Sequence, residues 1–191
     1  MQQARCDYWD VVREIPPEDL VFIDESGTNL AMVRLYARAP KGQRAVGSRP
    51  QRRGKNVSLV EALTLNGPIA AFQCADSMDG LTFEAYLIQR VIPNLWPGAY
   101  VILDNSPIHN SNEDIDAALD AVEAHLIFLP PYSPDFSPIE PFWSKVKDNL
   151  KSLAPRTYQA LKEAIDIAYE KVSLKDIRNW FTFRCYCTSS E

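Results

Sequence analysis

Apolar positions along the chain fall first into short strand-like runs and later into helical stripes. A polar, partly helical lead-in covers residues 1–19 and is broken at Ile15-Pro16-Pro17. Val21, Phe22 and Ile23 then form an apolar run that closes on Asp24. Over residues 56–65, Val57, Leu59, Leu63 and Leu65 share one face, with Glu61 as the exception, which is the two-residue period of a strand. Asn66-Gly67 is a strong hairpin signal, so residues 68–74 are expected to return as the partner strand. A second hairpin is expected in the Arg34–Arg38 region. Phe83, Leu87 and Val91 recur every fourth residue up to Pro93, predicting a helix that Thr82 can cap.

Residues 100–105 are apolar on both faces until Asp104, as expected of a central strand covered on both sides. Ile115, Ala118, Leu119 and Val122 form an amphipathic stripe, and residues 126–129 read as another buried strand stopped by Pro130-Pro131. The clearest helix carries Ile139, Phe142, Trp143, Val146 and Leu150, and the next carries Leu161, Ile165, Ala168 and Val172. Residues 173–191 form a tail with a helical stretch around Trp180. Strands alternating with helices predict an α/β domain over residues 20–172, a mixed sheet covered on both faces.

Composition narrows this picture. A chain of 191 residues that is 46% hydrophobic and 24% charged is sized for one globular domain and excludes collagen and coiled coil. It contains no apolar run long enough for a membrane span and no visible secretory signal. The four cysteines lack zinc-ligand spacing, which points to reduced thiols in the cytoplasm. The net charge of −5 conceals an asymmetry. Between Ser26 and Val60 lie eight basic residues (Arg34, Arg38, Lys41, Arg44, Arg49, Arg52, Arg53 and Lys55) and no acid, which leaves −13 on the rest. A solvated basic loop and a phosphate-binding track both fit such a run.

Three acids stand out chemically. Asp24 and Asp104 each terminate an apolar strand, and neighbouring strand ends meet in the crevice where α/β sheets bind ligands. Carboxylates placed there need a partner, and a hard divalent cation is a suitable one. Glu140 falls in the first turn of the clearest helix, where it too can face such a crevice. Three carboxylates suit a two-metal phosphoryl-transfer site. Each also has a structural reading. Asp24 and Asp104 both precede turn-forming residues, and Ser137-Pro138-Ile139-Glu140 matches a capping box. Asn105 and His109 are candidates for the edge of the site, whereas Glu25 should face the opposite side of its strand from Asp24.

In combination, residues 21–27 (VFIDESG), 101–109 (VILDNSPIH) and 128–147 (FLPPYSPDFSPIEPFWSKVK) resemble the DDE transposases of the Tc/mariner superfamily, most closely the bacterial branch typified by insertion sequence 630. The order Asp, Asp, Glu matches, and 35 residues separate Asp104 from Glu140. The resemblance implies an RNase H-like fold with a mixed five-stranded sheet and helices on both faces. Asp24 would lie on the first strand, Asp104 on the fourth, and Glu140 on the helix after the fifth. It further implies cleavage and joining of double-stranded DNA at element ends and TA targets, with Mg²⁺ or Mn²⁺ held by Asp24, Asp104 and Glu140. A homodimer on DNA and a nucleoid-associated location in the cytoplasm would follow.

The basic window then becomes a DNA track, extended by Lys147 and Lys151, which recur on the Glu140 side of their helix. Ser137 replaces the family's usual Asn, and both residues cap helices. Only about 20 residues precede Asp24, fewer than the helix-turn-helix region of full-length relatives requires. The expected unit is therefore a catalytic domain. The competing readings are an inactive DNA-binding remnant, a purely hydrolytic RNase H-like nuclease, and a small-molecule phosphohydrolase.

Overall fold

The computed structural model describes residues 2–109 and 112–187; the last four residues of the predicted tail lie outside them. Six strands form one mixed sheet, five of them in the order β3-β2-β1-β5-β6 and the sixth, β4, also paired with β2. They are β1 (Leu20–Thr28), β2 (Val57–Thr64), β3 (Gly67–Pro68), β4 (Phe72–Ala75), β5 (Tyr100–Leu103) and β6 (His125–Phe128). β1 pairs antiparallel with β2 and parallel with β5, and β5 continues parallel to β6.

The sixth strand has a local cause. The segment after the Asn66-Gly67 turn pairs with β2 in two pieces, β3 and β4, rather than as one strand. Pro68 lacks an N–H for the ladder. Between the pieces, Glu61 Oε1 accepts the backbone N–H groups of Ala62 (3.0 Å) and Ala70 (3.1 Å). The carboxyl group that interrupted the strand period thus accepts these N–H groups where the ladder lapses, and Glu61 is wholly buried.

Strand alternation sends apolar side chains into two cores. Leu20, Phe22, Leu59, Leu63 and Ile102 face one core, filled by α1 (Gln2–Val12), α4 (Ile139–Leu153), α5 (Tyr158–Glu170) and α6 (Leu174–Phe183). Val21, Ile23, Val60, Val101 and Leu103 face the other, covered by α2 (Gly80–Tyr86) and α3 (Glu113–Asp120). Helices therefore cover both faces, as the periodicity predicts. Tyr8 and Val12 of α1, and Ile177 and Phe181 of α6, lie in the same core as α4.

Four local expectations are corrected. Residues 29–56 contain no strand, so the Arg34–Arg38 region belongs to an exposed, irregular arm that doubles back at Pro40–Gln43 without forming a β-hairpin. β6 is the edge of the sheet, with Phe128 37% exposed, so it is not fully buried. Asp79, not Thr82, caps α2 by accepting the Thr82 N–H at 2.9 Å. The capping box at Ser137 does not form: α4 starts at Ile139 behind Pro138, with no side-chain cap. Ser137 instead ends the tight turn Pro134–Phe136, donating its backbone N–H to Pro134 O at 3.1 Å. Among the described residues, no helix is long and apolar enough to cross a membrane.

Candidate active site

The three acids arrive from three separate elements. β1 does not stop at Asp24, as its apolar run suggests, because β2 continues the ladder alongside it to Thr28. What stops is the pairing with β5, whose last partner pair is Phe22 and Ile102. Continuing that parallel register by two residues sets Asp104, just past the end of β5, abreast of Asp24. Asp24 shares the face of Phe22, against which α4 packs, and the first turn of α4 carries Glu140. Asp24, Asp104 and Glu140 line one cleft of about 540 Å³ together with Asn105, Tyr132 and Ser137.

The electrostatics of the cleft are those of crowded acids. Asp24 is pushed up to about 7, first by burial and then by the negative charges of Glu25, Glu140 and Asp104. Asp104 moves the other way, held below its ordinary value chiefly by its hydrogen bond to His109. His109 is buried, with Nδ1 2.5 Å from Asp104 Oδ1 and Nε2 2.8 Å from Glu25 Oε1. Burial alone would lower the imidazole pKa, but the two carboxylates outweigh it and raise it to about 9. With both ring nitrogens facing carboxylate oxygens, the imidazolium can donate to both. His109 therefore lies behind Asp104 rather than on the cleft wall. Asn105 lines the cleft while its side-chain amide donates to Leu129 O, joining the ends of β5 and β6.

The far wall is the turn-rich stretch after β6, and α1 braces it. Arg5 donates to Asp135 at 2.6 Å and to Ser133 at 2.9 Å, and its guanidinium lies 3.9 Å from the Phe136 ring centroid. Tyr186 donates to Phe136 O at 2.8 Å. Tyr132, at φ +54° and 89% exposed, stands on this wall. Sequence reasoning missed Arg5 and Tyr132. Neither carries a periodic signal, and the Arg5–Asp135 contact spans 130 positions.

All eight basic residues of the arm are exposed. Among the described residues, Lys55 alone of the eight has an ion pair, to Asp76 at 3.7 Å. Arg49 and Arg53 line a separate depression with Lys151 of α4, so the structure brings the root of the arm against that helix. Lys147, one turn nearer Glu140, is half-buried. Arg34, Arg38, Lys41 and Arg44 project further along the arm, and Arg52 lies beside its root.

Oxygen donors of this kind suit hard divalent cations, and a bound cation would offset the burial and the neighbouring negative charges that raise the Asp24 pKa. The fit is one of donor chemistry: among the described residues, no three His, Cys, Asp or Glu side chains form a ready ion cage. Asp104 is meanwhile tethered through Oδ1 to His109 and to the Ser106 N–H.

Comparison with known proteins agrees with this architecture. No curated protein sequence matches the chain. Among solved structures, a pre-cleavage Mos1 transpososome superposes with a TM-score of 0.76 at 16% identity, covering 97% of this chain and 58% of that one. A Mos1 mariner paired-end complex with Mn gives 0.71 at 16% identity, over 97% and 58%. The isolated catalytic domain of Mos1 mariner transposase gives 0.60 at 12% identity, over 97% and 84%. The chain thus spans a little over half of the larger Mos1 proteins and shares their RNase H-like fold. A family model described as DDE superfamily endonuclease matches residues 19–162. With that match spanning β1 to the start of α5, and all three acids inside it, the chain belongs to the DDE superfamily endonucleases.

Proposed function

We propose that this chain is the catalytic domain of a transposase that cuts a DNA strand at an element end and joins it to target DNA. The observation that carries the reading is the convergence of Asp24, Asp104 and Glu140, from β1, the end of β5 and α4, on one cleft. These three residues would hold two Mg²⁺ or Mn²⁺ ions. When bound, such ions activate the attacking water or 3′-hydroxyl and stabilise the leaving oxygen. The Mos1 complexes with Mn and with Mg support that assignment by fold.

The chain's own residues supply the rest. The exposed arm, with Lys147 and Lys151, neutralises backbone phosphates, and each neutralised phosphate steepens the salt dependence of binding. Pairing two DNA ends calls for a homodimer on DNA. The motif wording favours the insertion sequence 630 branch, a TA target and work on the bacterial nucleoid.

The test is cleavage of labelled duplex ends in Mg²⁺ or Mn²⁺, with a target duplex added to capture joined products. Wild type should nick and join, whereas Asp24→Asn, Asp104→Asn and Glu140→Gln should each lose both activities. Nicking without any joined product would replace the transposase reading with that of a hydrolytic nuclease. Equal cutting by all four proteins would remove the three acids from the site.

A further inference from the structure

Asp24 and Glu25 are neighbours on β1, so their side chains leave on opposite faces of the sheet. Asp24 turns toward α4 and the cleft, while Glu25 turns toward the side covered by α2. There it meets His109, which ends the short turn Pro107–His109 and whose ring lies 4.3 Å from the Phe83 ring, centroid to centroid. The imidazole spans the gap between strands: Nε2 to Glu25 Oε1 at 2.8 Å, Nδ1 to Asp104 Oδ1 at 2.5 Å. The Ser106 N–H reaches the same Asp104 oxygen at 2.9 Å. Both tethers fall on Oδ1, and among the described residues none falls on Oδ2.

We infer that Glu25 and His109 are positioning residues that fix the Asp104 carboxylate in the orientation required to bind a cation. The inference rests on the reading of Asp104 as an acid of the active site. Asp104 needs this support because it is more than half exposed and lies beyond the last hydrogen-bonded pair of β5. A free carboxylate there would rotate among several orientations and lose entropy on binding. A ligand held through its outer oxygen loses less, and removing such outer supports weakens metal binding by about 10–100-fold in well-studied sites. Glu25 also explains why an acid follows Asp24 on the wrong face for the cleft.

The experiment measures binding of Mn²⁺ alone, by calorimetry and by electron paramagnetic resonance, alongside DNA cleavage and melting temperature. His109→Phe keeps the stack on Phe83 and should weaken Mn²⁺ binding by about 10–100-fold. Glu25→Ala should weaken it comparably, and Glu25→Gln, which retains an acceptor oxygen, should restore most of it. The double variant His109→Phe/Glu25→Ala should be no worse than His109→Phe, since the two act through one chain of contacts. Asp104→Asn separates the two layers of the argument. If it leaves Mn²⁺ binding intact, the assignment of Asp104 itself falls, and the inference with it. If Asp104→Asn abolishes binding while folded His109→Phe binds as wild type, the positioning role alone is overturned. Should His109→Phe not fold, the Glu25 pair decides: a Gln variant as damaged as the Ala variant overturns the role, and rescue supports it.

Discussion

Asp24→Asn should stabilise the metal-free protein while abolishing its activity. In the folded chain the Asp24 carboxyl is pushed from 3.8 up to about 7, chiefly by burial and then by the neighbouring acids. An acid raised in the folded state costs nothing below its unfolded pKa, where both states are protonated. The cost grows as pH rises through the window from about 4 to about 7 and is fully present above it. Three units correspond to a ceiling of about 4 kcal/mol. Solvent reaches part of Asp24 and screens its neighbours, so the expected gain is about 2 kcal/mol at pH 8 and under about 1 kcal/mol at pH 5. In a chain of this size that gain is about 4–8 °C in melting temperature at pH 8. The assay is thermal unfolding by circular dichroism of both proteins in chelator at pH 4, 5 and 8, repeated with Mn²⁺. The gain should vanish at pH 4 and shrink with Mn²⁺, which stabilises only the wild type. A variant no more stable than wild type at pH 8, or equally stabilised at pH 4, would refute the argument that the cleft holds a destabilised carboxylate.

Glu61→Gln should flatten the pH dependence of stability in a different window. Burial raises this carboxyl from 4.5 to about 8, so wild type should lose stability between about pH 4.5 and 8 while the variant does not, as urea titrations at pH 5 and 9 would show. Removing Arg49 or Arg53 should weaken DNA binding uniformly across sequences and lower the salt slope by about one phosphate each, read by fluorescence anisotropy at several salt concentrations. Thr157, whose side chain accepts the Ala160 N–H at 3.1 Å, caps α5, so Thr157→Ala should cost about 1 kcal/mol. Ser137→Ala should cost distinctly less, because α4 has no side-chain cap, and chemical denaturation of the two variants compares them directly.

The parts of this fold legible in the sequence are those where one physical rule acts locally. The stripe Ile139, Phe142, Trp143, Val146 and Leu150 needs only the helical period, and all five residues are buried. The run at residues 100–103 names a strand covered on both faces, and its side chains do enter both cores. Where contacts between distant segments decide, the pattern carries no trace. Glu25 and His109 meet across 84 positions, and strand alternation alone sends Glu25 away from the site. Tyr8 and Val12 sit in a largely polar lead-in with no clear helical stripe, yet both are buried. The arm fails for another reason. Leu35, Tyr36 and Val46 suggest packing, but they are 68%, 91% and 91% exposed, with no partner strand to hide them.

That arm has a hydrogen-bonded root and an exposed body, and the distinction bears on the proposed use of its charge. At the root, the Leu30 N–H donates to Arg53 O at 3.0 Å, Arg156 donates to Leu30 O at 3.2 Å, and the Lys55 N–H donates to the Tyr158 hydroxyl at 2.6 Å. Gly54 makes the last contact possible: at φ +70° a side chain is strained, and a Cβ would stand 2.8 Å from the same hydroxyl. The stitches tie both ends of the arm to the start of α5, which packs on α4, the helix that carries Glu140 and Lys151. Direction is thus set at the root by the same layer that delivers the third acid. On the proposed function, the exposed basic residues beyond it would meet the phosphate backbone. A positive arm on a chain whose other residues sum to −13 would, on the proposed function, limit where DNA settles. The acidic pI is therefore compatible with the proposed function: the charge is separated along the chain, and on that reading the separation would orient DNA relative to the cleft.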